Sequence, residues 1–303
     1  MATYQQYRRY RKEPADPRLR VGKVVLVLVA FVFIYLISRA IFGGGGETDT
    51  NTPVNEAATN ISGTSNENTN GVNTNGTISN SVNATNTAVS ASGKIFSVAD
   101  ACTGALSRGK SSEKNIALTF NVGTTKEGSI EAVLTALTNA GVPAAFFITG
   151  DVATGNAELV TKISSAGFPI YNFGNSLVHF TDLPEDGITE QLTEAETSIS
   201  AVTNKSTKPF FRPPYGSVDA DVVAASKAAG WCPVTWTVDA LDWSSESTAT
   251  SSQERVLSKA ANGAIILMQG GNSITAEILA PVIAGLKSQG YTLVDLPALF
   301  AGS

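Results

Sequence analysis

The 303-residue sequence contains a single histidine, His179, and only two cysteines, Cys102 and Cys232. One imidazole with no thiolate or carboxylate beside it makes a poor metal site, because zinc takes three or four protein ligands. Neither cysteine belongs to a Cys-x-x-Cys pair or to another nucleophile setting, so the sequence contains no motif for thiol-based redox or thiol catalysis. We therefore interpret His179 as an exposed loop histidine.

The two cysteines allow two interpretations. Outside the membrane, where conditions favour oxidation, a single disulfide would join the start of the folded domain to the strand before Asp239. The alternative is a pair of buried thiols. The distance between Cys102 and Cys232 cannot be judged from their positions in the sequence, so both interpretations stay open.

Positive charge is scarce after residue 42. Residues 1–42 carry eight Lys or Arg against two Asp or Glu, a net charge of +6, and residues 43–303 carry 13 against 24, a net charge of −11. The two values sum to the −5 of the whole chain. An acidic folded domain is unsuited to a phosphate backbone, so we expect no nucleic-acid partner.

A long uncharged apolar run occurs once, near the N-terminus. Residues 24–38 contain no charged side chain, and extension to residue 42 gives 19 residues, close to the roughly 20 that a helix needs to cross a bilayer. We predict an uncleaved transmembrane helix at 24–42; a cleaved signal peptide and a buried helix are the alternatives. The basic tail, 1–23, precedes this segment, so the positive-inside rule predicts a cytoplasmic N-terminus, a single pass through the membrane and an extracytoplasmic C-terminal domain.

Residues 43–93 contain no aromatic side chain and consist mostly of Asn, Thr, Ser and Gly. Such a segment cannot bury enough apolar surface to offset its ordering entropy. We predict a disordered linker at 43–93 that holds one folded domain, 94–303, away from the membrane.

Strand and helix patterns alternate through this domain. Seven strands with six intervening helices predict a parallel β/α array. We favour a distorted (β/α) barrel of about seven parallel strands over a doubly wound sheet, because polar motifs follow nearly every strand and barrels build their sites at strand C-terminal ends. The predicted strands are 116–120, 144–148, 169–172, 210–211, 233–238, 264–268 and 292–294, and the predicted helices are 130–140, 157–166, 192–202, 219–229, 251–260 and 274–289, the last either kinked or restarted at Pro281.

The first strand carries the most informative pattern. Residues 116–123 read Ile-Ala-Leu-Thr-Phe-Asn-Val-Gly, a short buried strand that ends in a tight turn. From about residue 115 to its C-terminus, the chain resembles the polysaccharide deacetylases, the NodB-homology domains of carbohydrate esterase family 4. In that family the strand delivers two aspartates and a glycine. Here Asn121 and Val122 occupy the aspartate positions, and the resemblance implies a NodB-like fold.

The resemblance also identifies the positions that correspond to the family's metal ligands. Residues 172–183 follow the family pattern Asn-His-Ser/Thr-x-x-His through to Thr-Asp-Leu, and its two histidines fall on Phe173 and Leu177. In the family an aspartate and these histidines hold a divalent metal, usually zinc, which polarises the acetamide carbonyl and activates water. Val122, Phe173 and Leu177 cannot coordinate a metal, so we predict no metal cofactor. His179, two residues further on, is the alternative as a displaced ligand.

Residues 211–216, Phe-Arg-Pro-Pro-Tyr-Gly, match the family's Arg-Pro-Pro-x-Gly motif without a change. There the arginine orients the catalytic aspartate, and the amide after the second proline helps to hold the tetrahedral oxyanion. The resemblance assigns these roles to Arg212 and Tyr215. Arg212 would then face Asn121, a neutral partner.

Residues 238–243, Val-Asp-Ala-Leu-Asp-Trp, match the family's Asp-x-x-Asp-Trp pattern. In the family the second aspartate, here Asp242, tunes a catalytic histidine, and the tryptophan, here Trp243, forms an apolar wall of the groove. An aromatic ring beside a carboxylate also suits sugar binding, because the ring packs on the pyranose face and the carboxylate accepts hydroxyl hydrogen bonds. We predict that Asp239 and Trp243 contact glycan, together with Tyr215.

Residues 266–270, Ile-Leu-Met-Gln-Gly, resemble the family's last motif, Leu-x-His, which supplies the general acid. Leu267 keeps the leucine and is a predicted substrate contact, whereas Gln269 takes the place of the histidine. An amide has no accessible pKa and cannot protonate a leaving amine. Base, metal ligands and acid are thus all replaced, while Arg212 and Asp242 remain.

Three functions are compatible with the sequence. We favour a membrane-anchored deacetylase-like domain that binds N-acetylated cell-wall or surface polysaccharide and is catalytically impaired. The second hypothesis is an active hydrolase of non-peptide amide bonds, with Asp239 or Asp242 as the base. The third is a structural or scaffold protein of the envelope with no affinity for glycan.

Overall fold

In the computed structural model of the chain, the described residues are 87–89, 95–97, 102–124 and 128–301. The predicted tail and membrane segment and nearly all of the linker lie outside them. Within the described residues, no helix is both long and apolar enough to cross a bilayer. The strands are β1 Thr87–Val89, β2 Ile95–Ser97, β3 Asn115–Val122, β4 Ala145–Ile148, β5 Ile170–Asn172, β6 Phe210–Phe211, β7 Cys232–Pro233, β8 Val238–Asp239, β9 Ile265–Gln269 and β10 Thr292–Leu293.

The helices match the predicted order, with two short additions. They are α1 Ile130–Ala140, α2 Gly150–Gly155, α3 Ala157–Ser165, α4 Glu185–Thr203, α5 Ala220–Ala228, α6 Ala249–Lys259, α7 Ser273–Ser288 and α8 Leu296–Phe300, with short 3₁₀ turns at Phe180–Asp182 and Pro214–Gly216. All six predicted helices are confirmed; α2 and α8 were not predicted. Helix α7 continues through Pro281 and does not restart there.

Seven strands form one parallel sheet in the order β7-β6-β5-β4-β3-β9-β8, and β10 pairs in parallel with the start of β3. Strands β1 and β2 form a separate antiparallel pair. The predicted parallel β/α array is therefore confirmed. Strand β3 lies near the middle of the sheet, so its last residues reach the centre of the C-terminal edge.

The predicted strand at 233–238 is wrong, because this stretch forms two strands. Strand β7 pairs with β6 at one edge of the sheet, and β8 pairs with β9 at the other edge. Only residues 234–237 separate them, a span of at most about 18 Å of extended chain. The two edges therefore lie near each other, and the sheet curls towards a barrel.

The segment around Leu106 completes the gap between the two edges. Leu106 bridges to Val234 beside β7, and Arg108 bridges to Ala264 beside β9. Cys102, just before this segment, forms a disulfide with Cys232 of β7, with a Cα–Cα distance of 5.6 Å. The disulfide interpretation is confirmed, and the bond fixes the start of the domain to β7.

Side chains of β3 alternate between two cores. Ile116, Leu118 and Phe120 belong to the cluster under the helices, whereas Ala117 belongs to a second, aromatic-rich cluster on the opposite face of the sheet. Thr119 and Asn121 share that second face by the same alternation. Asn121 therefore lies on the face of the sheet opposite the helix-side cluster.

Candidate functional site

The predicted base and acid positions are adjacent at the C-terminal edge of the sheet. Asn121 lies at the end of β3 and pairs directly with Gln269, the last residue of β9. The loop after β6 adds Arg212, and the loop after β8 adds Asp242 and Trp243. Parallel strands bring these sequence-distant residues to one edge, as the barrel interpretation predicted.

Arg212 is the buried centre of this arrangement, with no exposed surface. Its Nη1 donates to Asn121 Oδ1 at 3.0 Å, and its Nη2 donates to Thr119 Oγ1 at 3.0 Å. Its Nε donates to the Val234 carbonyl at 3.2 Å, and Nη2 also donates to the Thr235 carbonyl at 3.3 Å. Within the described part of the chain every hydrogen-bond acceptor of Arg212 is uncharged. The predicted contact of Arg212 with a neutral Asn121 is confirmed.

Aromatic rings flank the same guanidinium. Its carbon lies 4.0 Å from the ring centroid of Phe147 and 5.7 Å from that of Trp236, distances at which the ring faces attract a cation. Burial lowers the pKa of Arg212 to about 9, and the charge of Asp239 opposes that shift. The guanidinium therefore stays positive at neutral pH, held by neutral acceptors and rings.

Two of the three predicted metal positions meet at the end of β3. A Cβ placed on Gly123 would lie 3.1 Å from Leu177 Cδ1 and 3.3 Å from Phe173 Cε1. Phe173 is 5% exposed, whereas Leu177 is 37% exposed. Val122 is not brought to them, because its side chain packs into the helix-side cluster.

These residues do not fit a metal. Zinc and other divalent cations need nitrogen, sulfur or oxygen ligands, and all three side chains contain only carbon and hydrogen. Within the described residues no group of three or more His, Cys, Asp or Glu could hold an ion. No chemical step is therefore assigned to a metal.

His179 is half-buried, not exposed as predicted. Its ring lies 4.6 Å from the Tyr215 ring, tilted by 32°. The Tyr215 hydroxyl donates to the Leu177 carbonyl at 3.3 Å. His179 thus belongs to the wall that joins the Phe173–Leu177 loop to the Arg-Pro-Pro motif, which sequence spacing did not indicate.

Both retained motifs contain a non-glycine residue in the left-handed region. Tyr215 has φ 61° and Leu241 has φ 57°. Each such conformation costs on the order of 1–3 kcal/mol and persists where the surrounding structure fixes it. In Tyr215 it shapes the turn that carries the predicted oxyanion amide, whose role stays a prediction.

Asp239 holds Trp243 in place. The indole Nε1 lies 3.3 Å from each carboxylate oxygen of Asp239, and the Leu241 amide donates to Oδ1 at 2.8 Å. Burial raises the pKa of Asp239, and these hydrogen bonds with the charges of Arg255 and Arg212 oppose the shift. Arg255, which the sequence did not single out, also donates its Nε to the Asp239 carbonyl at 2.7 Å.

Asp242 is 1% exposed and only half satisfied. Its Oδ2 accepts hydrogen bonds from the backbone N–H of Gln269 at 2.8 Å and from the Thr275 hydroxyl. Its Oδ1 has no partner within the described residues. Burial raises the pKa of Asp242 to about 6, against the opposing effect of those two hydrogen bonds. The tuning role predicted for Asp242 has no imidazole to act on, since Gln269 replaces it.

This half-satisfied carboxylate predicts a pH-dependent stability that Asp242→Asn removes. The folded-state pKa near 6 lies above the ordinary 3.8, so the folded protein binds this proton more tightly, and stability is lost as pH rises from about 4 to 6. A shift of about two units corresponds to about 3 kcal/mol. Urea unfolding at pH 4 and pH 7 measures it: the wild type should lose about 2–3 kcal/mol relative to Asp242→Asn. Parallel pH profiles for the two proteins would contradict the prediction.

Leu267, a predicted substrate contact, is 2% exposed and lies between Thr119 and Asp239 in the sheet. Its contact with glycan stays a prediction. The sequence missed Thr275 and Asn272, which hold Asp242 in position. Asn272 donates its Nδ2 to the Asp242 carbonyl at 2.9 Å and caps α7 through its Oδ1. A capping asparagine before a helical pattern was the available signal.

The fold and these motifs are those of carbohydrate esterase family 4, and the chain belongs to this family, the polysaccharide deacetylases. The family's sequence profile, described as polysaccharide deacetylase, matches residues 108–234. The chain is 30% identical over 196 residues to the peptidoglycan-N-acetylmuramic acid deacetylase PdaA of Bacillus subtilis, covering 63% of this chain and 73% of PdaA. It is 35% identical over 188 residues to the uncharacterized protein YlxY of Bacillus subtilis, covering 61% of this chain and 57% of YlxY. The chain therefore spans little more than half the length of that relative.

Among solved structures, BA3943 of Bacillus anthracis, a CE4 family pseudoenzyme, superposes with a TM-score of 0.63. The two are 30% identical, and the match covers 67% of this chain and 71% of BA3943. A BA3943 mutant has been crystallised as a pseudoenzyme with restored enzymatic activity. The likeness confirms the NodB-like half-barrel of seven parallel strands.

Proposed function

We propose that this protein binds N-acetylated cell-wall glycan in a deacetylase-type cleft and does not hydrolyse it by metal-dependent chemistry. One observation carries the proposal. Phe173 and Leu177 meet over Gly123, at the positions where the resemblance places the family's metal-binding histidines. Hydrocarbon there cannot polarise an acetamide or activate water.

The groove side of the site supports binding. Trp243 is half-buried, and its indole is held by Asp239, so that its orientation is fixed before a sugar arrives. A fixed ring loses little entropy when a pyranose face packs on it. Cell-wall peptidoglycan is the named substrate of the relative PdaA, and a glycan of that class is the ligand we propose for this chain.

Two replacements and one isolated carboxylate argue against turnover. Asn121 is held by Arg212 as a neutral amide and cannot serve as a base, and Gln269 has no proton to give to a leaving amine. Asp242, which would tune a histidine in the family, is 1% exposed, and its Oδ1 has no partner among the residues that the structure describes. The chain therefore keeps the family's motifs but lacks the general base and the general acid.

A second candidate is an amide hydrolase with altered chemistry. The pKa of Asp242, raised by burial to about 6, lies near the range in which a general base works at neutral pH. To act as a base, the Asp242 carboxylate would have to become accessible to water and substrate, since Asp242 is 1% exposed. Acetate release that disappears in Asp242→Asn would favour this candidate.

Binding without turnover is tested with the full chain and N-acetylglucosamine oligomers. We expect measurable affinity, a loss of about tenfold in Trp243→Ala, near 1.4 kcal/mol, and retention of most affinity in the control Trp243→Phe, which keeps a ring. Acetate release should equal that of buffer. Absence of binding to any N-acetylated wall glycan would contradict the proposal and favour a structural role; stoichiometric acetate release would favour the hydrolase.

We also propose that residues 24–42 anchor the protein, with the folded domain on the extracytoplasmic side. The support is the uncharged run at 24–38 and the basic residues before it. Protease added to intact cells or spheroplasts should remove the C-terminal domain and spare the N-terminal tail. A full chain that stays in the soluble fraction would contradict the anchor.

A further inference from the structure

We propose that Asn121 makes the cleft selective for an intact N-acetyl group over the free amine of a deacetylated sugar. The inference rests on the proposed function, because it concerns the glycan that the same cleft binds. It assigns the selectivity to a change of hydrogen-bonding polarity at the end of β3. An aspartate at this position would only accept hydrogen bonds, whereas Asn121 can also donate.

The orientation of the Asn121 amide follows from its partner. A guanidinium carries only donors, so the atom 3.0 Å from Arg212 Nη1 must be the oxygen, Oδ1. The amide nitrogen, Nδ2, is therefore turned away from Arg212. Nothing in the described part of the chain accepts a hydrogen bond from it.

Asn121 Nδ2 also keeps a small exposed surface. Within the described residues, the polar side-chain atoms that are both fully buried and without a hydrogen-bond partner are Asp242 Oδ1 and Ser252 Oγ. Asn121 Nδ2 is not among them, and Asn121 as a whole is 8% exposed. An N–H pair that has no internal acceptor and reaches solvent at the C-terminal edge of the sheet is available to a ligand. It offers that ligand a donor.

Arg212 strengthens this donor. A charge-assisted hydrogen bond to Oδ1 polarises the amide, and hydrogen bonds in series strengthen one another in a low-dielectric setting. The positive charge of Arg212 is buried among neutral acceptors and the Phe147 ring, so its field is not cancelled by a hydrogen-bonded carboxylate. The hydrogen bond from Arg212 thus makes the Asn121 N–H a stronger donor to a ligand.

The hydrocarbon surface beside Asn121 completes the match. Gly123 lies two residues further along the chain, and Phe173 and Leu177 close over it within 3.3 Å of its missing Cβ. An acetamide has a carbonyl oxygen for the Asn121 donor and a methyl group for this apolar surface. A protonated amine has only donors and a positive charge, so it meets a donor, hydrocarbon and the Arg212 cation. The nearby carboxylate that could attract the amine is Asp239. This carboxylate already accepts hydrogen bonds from Leu241 and Trp243, so it is less available to the amine.

The test compares two oligosaccharides that differ only in acetylation: the N-acetylglucosamine pentamer and the glucosamine pentamer, titrated calorimetrically against the full chain at one pH and salt concentration. We expect the wild type to prefer the acetylated pentamer by about tenfold or more, as a donor left unpaired or facing a cation weakens binding. Asn121→Asp returns an acceptor and gives Arg212 a counter-ion, so the preference should fall to about twofold or reverse. Leu177→Gln, at an exposed position, should weaken acetylated binding and leave amine binding unchanged.

The possible failures are distinguishable. Equal affinity of the wild type for both pentamers, or an unchanged preference in Asn121→Asp and Leu177→Gln, overturns the selectivity while the proposed glycan binding stands. No binding of either pentamer overturns the proposed function and the selectivity with it. If Asn121→Asp does not fold, as judged by circular dichroism, Leu177→Gln decides the question alone.

Discussion

A variant that carries Asp at positions 121 and 122 and His at positions 173, 177 and 269 is expected to bind one equivalent of zinc that the wild type does not bind. Phe173 and Leu177 already lie together over Gly123, so imidazoles placed there have a common centre to face. Carboxylate and imidazole ligands supply the donor set that hydrocarbon lacks. We expect zinc affinity to rise by about a thousandfold or more, about 4 kcal/mol, measured by competition with a chelator dye.

The control for this gain is Asn121→Asp combined with Gln269→His, which restores the predicted base and acid without the three ligands. It should bind no more zinc than the wild type. Val122 is the demanding position, because it is 4% exposed and packs against the helix-side cluster, so an aspartate there must turn towards Phe173. Equal zinc binding by the five-residue variant and the two-residue control would contradict the assignment of Val122, Phe173 and Leu177 as the former metal positions.

The second large effect is on stability. Arg212→Met is expected to lower the free energy of unfolding by about 4 kcal/mol or more, because each buried acceptor left without a donor costs about 1–3 kcal/mol. Four acceptors lose their donor, namely Asn121 Oδ1, Thr119 Oγ1 and the carbonyls of Val234 and Thr235. Arg212→Lys should lose nearly as much, since an ammonium cannot serve this planar set of acceptors. Urea unfolding at pH 7 measures both.

Asn121→Asp tests the same contact from the other end. It gives Arg212 a charged partner at 3.0 Å without adding volume, so it should raise the free energy of unfolding by about 1–2 kcal/mol. Opposite signs for Arg212→Met and Asn121→Asp would support a cation held by neutral acceptors. If Arg212→Met is as stable as the wild type, the guanidinium does not organise the sheet edge as described.

The fold was largely predictable because its signals are local. Apolar runs such as 116–120 mark buried parallel strands, and Gly141 ends α1 in the left-handed conformation that glycine favours. The stretch 233–238 misled because its pairing is not local: one half belongs to each edge of the curled sheet. Helices α2 and α8, at six and five residues, are too short to show a helical period.

The site was predictable by position and less so by orientation. The motif match placed Asn121, Arg212 and Gln269 together, and the contact of Arg212 with Asn121 is confirmed. It did not indicate that Val122 turns to the helix side or that Leu267 is almost fully buried, because strand alternation and packing decide which way each side chain faces. The hydrogen bonds that hold Asp242 Oδ2 come from Thr275 and the Gln269 backbone, in other segments of the chain, and sequence spacing does not predict them.

Hydrocarbon side chains occupy the positions of this chain that match the metal-binding residues of the deacetylase family. Equilibrium dialysis of the unaltered full chain against zinc, followed by metal counting on the protein, tests it directly. We predict well under about 0.1 equivalent of zinc retained after a chelator wash, since tight sites need three or four donor ligands. One equivalent of zinc retained, and lost on substitution of His179 or Asp239, would show that the protein still has a metal site.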